Sequence, residues 1–313
     1  MAFIRTVLGD IPPERLGVCY GHEHVYGRPP GINDGDDEDF TREDAALREL
    51  SWYVQAGGRS LIEMSTPDYG RDAAAMVRIA QASGVQLVAA TGYNKDKYSL
   101  PFTRDASIDE MTARFVADIN TGMDGTTARA GLVKAAASLN KISPSEEKLY
   151  RAASRAHRQT GAPISTHSEA GTMMLEQVAL FREEGVDLAH VVIGHVDRRL
   201  DYDLHRRLAE TGVTLSYDQF AKEKYYPDLE RIRVIKQLIT DGFGGQILLA
   251  GDMAKHSYWP SYDTGGGPGL TFILWRILPW MREEGIVEAD IQRMLVDNPA
   301  RVFQFREPDL SSG

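Results

Sequence analysis

Short apolar runs alternate with longer amphipathic stretches along nearly the whole chain. Runs of strand length cover Leu16–His24, Ser60–Ser65, Gln86–Thr91, Ala130–Ala136, Pro163–His167, His190–His195, Val213–Tyr217 and Gln246–Ala250. Between them apolar positions recur with the helical period. The stretch TREDAALRELSWYVQAGG closes on Gly57-Gly58, a helix stop. The stretch SPSEEKLYRAASRAHRQTG offers Ser143 as N-cap, Pro144 as first helical residue and Glu146 to complete a capping box. Strands alternating with helices predict parallel pairing, and eight such units predict an α/β fold, a single (β/α)8 barrel with its site at the C-terminal ends of the strands. A doubly wound open sheet is the rival, but no strand is followed by a glycine-rich dinucleotide fingerprint. The expected organisation is one barrel domain over residues 1–313, with an N-terminal lead (1–15) and a closing helix and tail (286–313).

Composition narrows this picture. A hydrophobic fraction of 42% supplies a large core, and a formal charge of −10 argues against nucleic acid or an anionic membrane as partner. The single cysteine, Cys19, excludes an internal disulfide. The amino terminus lacks the pattern of a secretory signal, and no run is long enough to span a bilayer, so a soluble, cytoplasmic protein is expected. The acidic stretch GINDGDDEDFTRED does not match an EF-hand loop and reads as a solvated loop leading into a helix.

The candidate chemistry lies at the strand ends. Four of the eight histidines fall there: His22 and His24 on the first strand, His167 on the fifth and His195 on the sixth, with Asp252 at the end of the eighth. Residues i and i+2 of a strand share a face, so His22 and His24 can reach one metal ion together. Glu23 then faces away, and Cys19, of the same parity, reads as core packing. One such histidine alone is more often a satisfied core residue. The convergence of four with a carboxylate at one barrel end points to zinc or a similar divalent ion. His157 and His205 fall on helices and His190 at the opposite barrel end.

Lys134 stands inside the apolar strand RAGLVKAAASLN, where an uncompensated ammonium is costly. It is either a snorkelling or salt-bridged lysine, or one whose depressed pKa allows a carbamate to form with carbon dioxide. Spacing alone does not decide between them.

The ordered set GHEHV, LVKAA, STHSEAGT, IGHVDR and LLAGDM, with the closing VDNPARVF, resembles the phosphotriesterase-like family of the amidohydrolase superfamily over nearly the whole chain. The resemblance implies a binuclear centre of two divalent ions, usually Zn2+. His22, His24 and Asp252 would hold the more buried ion, and His167 and His195 the more exposed one. Carboxylated Lys134 would bridge them together with a hydroxide, and Asp252 would pass its proton to the leaving group. Dimerisation is a further expectation carried by the resemblance.

Substrate choice must then lie in the loops. The segments SYDQFAKEKYYPD and GDMAKHSYWPSYDTGGGPGL place Lys222, Lys224, Lys255, His256, Tyr225 and Tyr258 where barrels commonly bind phosphate. In a chain of net charge −10 such a basic set suits an anionic group. HSEAGTM, AKEKYY and GDMAKHSYW followed by GPGL resemble the lactonases of phosphorylated sugar lactones, with Lys255-His256 where arginine and a second basic residue are common. Lys222, Lys255 and Tyr258 are the favoured phosphate holders. ATGYNKDKYSLPF adds Tyr93, Lys95, Lys97 and Tyr98 as wall residues, of which Tyr98 is the candidate donor to a lactone oxygen. The expected activity is hydrolysis of an aldono-1,4-lactone bearing phosphate. A lactonase for acyl (homoserine-type) lactones or a phosphotriesterase is the alternative, and would want a largely apolar mouth. A non-catalytic binding barrel would hold a ligand without turnover, and a mononuclear deaminase has no need of Lys134.

Overall fold

The computed structural model describes residues 2–263 and 266–308; the tail expected over 309–313 lies outside the described residues. Eight parallel strands run in the order of the chain: β3 (Cys19–Glu23), β4 (Ser60–Glu63), β5 (Gln86–Gly92), β6 (Leu132–Ala137), β7 (Ile164–Ser168), β8 (Val191–Ile193), β9 (Thr214–Tyr217) and β10 (Ile247–Leu249). Each lies in or overlaps one of the predicted runs. The ladder extends unbroken from β3 to β10, and the Asp252 amide donating to His22 O (3.2 Å) ties the last strand's exit to the first. Helices α1 (Glu43–Gln55), α2 (Ala73–Ser83), α3 (Asp96–Thr103), α4 (Ile108–Asn120), α5 (Pro144–Thr160), α6 (Met174–Glu183), α7 (Tyr202–Ala209), α8 (Asp228–Thr240), α9 (Leu278–Glu283), α10 (Glu288–Gln292) and α11 (Asn298–Val302) form the outer layer. The fold is the predicted TIM barrel. No helix among the described residues is long and apolar enough to cross a membrane.

The capping box forms as the sequence requires: the Glu146 amide donates to Ser143 Oγ (3.1 Å), and Glu146 Oε2 accepts from the Ser143 amide (2.9 Å). Two layers of core result. Outward side chains of the strands pack against the helices. Inward ones, among them Ile62, Val88, Leu132, Val192 and Leu248, fill the barrel as a packed core.

The lead over residues 1–15 contains a β-hairpin. Residues Ile4–Thr6 (β1) and Gly9–Ile11 (β2) pair antiparallel, and Ile4 joins Leu16, Val302 and Phe303 in plugging the barrel's lower end. Arg5 fixes the hairpin, with Asp10 on Nε (2.8 Å) and Ile119 O on Nη1 (2.8 Å).

A second departure concerns parity. Cys19 faces the barrel interior, so it is core packing as expected but on the inner face. Tyr20 faces the helices, its ring 4.9 Å from that of Tyr53. Strict alternation would then turn Glu23 inward. Instead the β3–β4 register shifts between Tyr20 and Glu23, a bulge that restores His22 and His24 to the inner face. Gly21 sits in this bulge, where a Cβ would come within 2.9 Å of Leu248 Cδ1.

His157 is fully buried in α5 and donates from Nδ1 to Ala162 O (2.8 Å). Burial is the main cause that lowers its pKa to about 4. As pH falls the unfolded chain takes up a proton there near pH 6.5, whereas the folded protein refuses it until about 4. The associated stability is therefore full above pH 6.5 and is lost between 6.5 and 4, by roughly 3 kcal/mol. His157→Gln, which keeps a donor for Ala162 O, should show a smaller drop in urea midpoint between pH 7 and pH 4.5 than the wild type; an equal drop would place the titrating group elsewhere.

Candidate active site

The C-terminal ends of the strands surround a cavity of about 150 Å³, and His22, His24, Lys134, His167, His195 and Asp252 all line it. The six sequence-selected residues are thus brought together. Nε2 of His22 and Nε2 of His24 stand 3.7 and 3.6 Å from the same Asp252 Oδ1. His22, His24 and Asp252 form one group whose ligand-type atoms all lie within 4.8 Å of one another; His22, His195 and Asp218 form another.

The hydrogen bonds to the outer sides of the rings decide which nitrogens face the cavity. His24 Nδ1 donates to Ser65 Oγ (2.9 Å), since Ser65 gives its own proton to Glu63 Oε1 (2.7 Å). His195 Nδ1 meets Asp218 Oδ1 (2.7 Å), and the His195 amide donates to Asp218 Oδ2 (3.0 Å). His167 Nε2 meets Glu169 Oε2 (3.0 Å). Each carboxylate or hydroxyl fixes one ring nitrogen as N–H and leaves the other as a lone pair. His195 Nε2 and His167 Nδ1 consequently face each other at 2.8 Å, both acceptors by this assignment. Two such lone pairs at contact need a proton or a cation beside them. His22 Nδ1 is buried without a hydrogen-bond partner. The donor set fits divalent metal ions.

Electrostatics point the same way. Burial, the largest influence, lowers His22 and His167 each to about 3 and drives His24 well below the usual imidazole range, so all three are neutral at ordinary pH. Burial opposes ionisation of Asp252, but the Lys222 ammonium on its Oδ2 holds its carboxyl well below the usual carboxylate range.

Lys134 is buried, and its Nζ donates to Met64 O (2.9 Å). No carboxylate among the described residues lies within ion-pair distance of it, so it is neither snorkelling nor salt-bridged. Burial drives its ammonium down from the ordinary lysine range. β5 presses on β6 here: a Cβ on Gly92, whose φ is +96°, would fall 2.0 Å from Lys134 O.

The candidate substrate residues divide. Tyr98, Tyr225, Lys224, Lys255 and Tyr258 line the cavity, and Tyr98 reaches Glu38 Oε2 at 3.4 Å. Lys222 lines its floor, donating to Asp252 Oδ2 (3.0 Å), Asp252 O (2.7 Å) and Gln219 Oε1 (3.1 Å). Its ammonium is spent on the carboxylate, 5.4 Å from the centre of the Tyr258 ring. His256 turns away: its ring stacks on Tyr262 at 5.3 Å and its amide donates to Asp37 O (2.8 Å). The acidic stretch is not merely solvated. Asp37 accepts from Lys255 Nζ (3.0 Å) and the Ser257 amide (2.9 Å), and Glu38 lines the cavity.

Sequence reasoning missed Asp218, Ser65, Glu63, Glu169 and Arg198. Asp218 directly follows β9, so the strand-end position that singled out Asp252 could have found it. Glu63 was visible as an acid in the apolar run SLIEMS. Asp197 acts further out, accepting from the Gln219 amide (3.0 Å) and from Arg231 Nε (2.9 Å), an ion pair with no exposed side-chain surface. Breaking one partner of such a pair costs roughly 3–5 kcal/mol.

The chain matches the family model described as Phosphotriesterase family over residues 2–303. The phospho-furanose lactonase of Mycoplasmopsis synoviae is 32% identical over 327 residues, covering 97% of this chain and 92% of that protein. The solved lactonase from Listeria monocytogenes superposes with a TM-score of 0.93 at 36% identity, covering 97% of this chain and 100% of that one. The phosphotriesterase homology protein from Escherichia coli, complexed with phosphate in its active site, gives 0.89 at 33% identity over 93% and 99% of the two chains.

Asp218→Asn replaces an acceptor-only group by an amide at His195 Nδ1. Chelator competition should find zinc bound about 10–100-fold more weakly, with an unchanged far-ultraviolet spectrum; unchanged affinity would remove Asp218 from the metal-supporting set.

Proposed function

The chain belongs to the phosphotriesterase family, a family of hydrolases, and we propose that it is a binuclear metal-dependent lactonase for phosphorylated aldono-1,4-lactones. The observation that carries the substrate assignment is Lys224. Lys134 of the metal site apart, every other cation that lines the cavity faces a carboxylate: Lys222 faces Asp252, Lys255 faces Asp37, and Lys95 and Arg198 face Glu169. Among the described residues Lys224 has no carboxylate within ion-pair distance; its Nζ meets Tyr258 Oη at 3.0 Å and lies 5.0 Å from the centre of the Tyr225 ring. An uncancelled ammonium with a phenol beside it suits a phosphate. Lys224 thus takes the role expected of Lys222, with Lys255 and Tyr258 as its neighbours at the rim. The name of the Mycoplasmopsis relative and the phosphate in the Escherichia structure support this reading. The charged wall argues against an acyl-lactone or phosphotriester substrate.

His22, His24 and Asp252 would hold one ion, His167 and His195 the second, and Lys134, carboxylated by carbon dioxide at its neutral amine, would link them. Two divalent ions bound there lower the pKa of water and polarise a carbonyl. The chain's own groups do the rest. Lys224, Lys255 and Tyr258 anchor the phosphate so that the lactone carbonyl lies over the histidines. Water adds to the carbonyl carbon, the endocyclic C–O bond breaks, and Asp252 Oδ2 carries the proton from the water to the departing oxygen. Lys222 and Gln219, both on that oxygen, fix the carboxylate's orientation.

Zinc-reconstituted protein should turn over a 5-phosphorylated aldono-1,4-lactone with a kcat/KM about 100-fold above that of the unphosphorylated match, the worth of two charge-assisted hydrogen bonds. Equal turnover would overturn the substrate assignment and leave the metal site standing. Lys224→Ala should raise KM for the phosphorylated lactone about 10–100-fold and leave kcat on the neutral one within a factor of about two. Lys134→Ala should lose metal and activity together; a variant that kept both ions and full turnover would exclude the carbamate.

A further inference from the structure

Glu169 lies two residues beyond His167, in the one-turn segment Glu169–Gly171 that follows β7. Its carboxylate is the meeting point of three groups. Oε2 accepts from His167 Nε2 (3.0 Å) and from Lys95 Nζ, and Oε1 accepts from Arg198 Nη1 (3.1 Å). Lys95 comes from the loop after β5, Arg198 from the loop after β8 and Glu169 from the loop after β7, so one carboxylate joins three loops. Lys95 and Arg198 both line the cavity, and the Arg198 guanidinium also lies over the Tyr225 ring at 4.7 Å.

The arrangement assigns two consequences to one group. The bond to His167 fixes Nε2 as the N–H and leaves Nδ1 as the lone pair aimed at His195. The bonds to Lys95 and Arg198 cancel two positive charges on the cavity wall, that of Arg198 lying against the same Tyr225 ring as Lys224. We propose that Glu169 is a positioning and specificity-determining residue that couples the two: it presents His167 to the metal and, by pairing with Lys95 and Arg198, lowers the cavity's attraction for anions so that Lys224 carries it. The inference rests on the reading of His167 as a metal ligand. It does not require that the substrate be a lactone.

A single neutral side chain separates this role from a scaffolding one. Glu169→Gln keeps length and one acceptor but removes the charge. Zinc titration of apo-protein against a chelator should show one of the two equivalents weakened about tenfold and the other unchanged. Inorganic phosphate, titrated into the zinc-loaded protein by calorimetry, should bind about tenfold more tightly, because Lys95 and Arg198 are then uncancelled. Glu169→Asp keeps the charge, and its phosphate affinity should stay within about twofold of wild type. A scaffolding role would lower the melting temperature and weaken both zinc equivalents alike. That result overturns the proposal, as does a glutamine variant in which only one of the two readouts moves. A wild type that binds no zinc overturns the metal reading as well, whereas one that holds two zinc ions but opens no lactone overturns the substrate assignment alone.

Discussion

The whole site hangs on how closely β3 approaches β10. A closed barrel needs its first and last strands side by side, and Gly21 leaves room for Leu248 where a Cβ would meet it. The bulge at this point turns His22 and His24 to the interior and Glu23 to the opposite side. Glu23 then accepts from the Gly251 and Met253 amides (2.6 and 2.9 Å), which fixes the chain on either side of Asp252. One irregular position therefore lets β10 approach β3, aims two imidazoles inward and delivers the carboxylate that faces them. A side chain at residue 21 would disturb all three.

Around that seam, charge is arranged in layers. Three of the four inward-facing rings have their outer nitrogen tied down: His24 through Ser65 to Glu63, His195 to Asp218, His167 to Glu169. Burial would otherwise leave these rings free to rotate or to take either tautomer, and in a low-dielectric interior an unpaired ring nitrogen is costly. Further out the same economy of pairs cancels Lys95, Arg198, Lys222 and Lys255. A protein of net charge −10 thus presents a cavity in which, Lys134 of the metal site apart, Lys224 is the one ammonium among the described lining residues with no carboxylate within ion-pair distance. The mouth's selectivity comes from which charges are cancelled, more than from how many are present.

The strands, the capping box and the convergence of His22, His24, Lys134, His167, His195 and Asp252 were legible in the sequence because each obeys a local rule: a period, a cap, or a position at a strand's end. What escaped depends on chain reversals that no period records. Ala221, at φ +68°, turns the loop after β9 so that Lys222 drops to Asp252 while Lys224, two residues on, stays at the rim. His256 and Lys255 are neighbours, yet one packs behind the wall on Tyr262 and the other faces the cavity. The acidic loop looked solvated because its partners, Lys255 and the Ser257 amide, lie more than two hundred residues away in sequence. The bulge in β3 was invisible for a different reason: strict alternation and the bulge predict the same inward pair when parity is counted from the histidines, and differ only at Cys19.

Two of the site's residues occupy backbone conformations that side chains disfavour. His195 has φ +58° and Asp252 φ +43°, both in the left-handed region, at about 1–2 kcal/mol each. Both are held from outside: the His195 amide by Asp218 Oδ2, and the Asp252 segment by Glu23 on one side and by its own amide to His22 O on the other. Strain and restraint therefore fall on the same residues, at the ends of β8 and β10. Asp218 and Glu23, which hold them, are themselves fully buried and bonded to backbone amides, and burial still pushes the Glu23 carboxyl up to about 8 against its two amide bonds. The inward lone pairs are consequently in place through the protein's own bonds, and a cation entering the cavity would find its ligands already aimed.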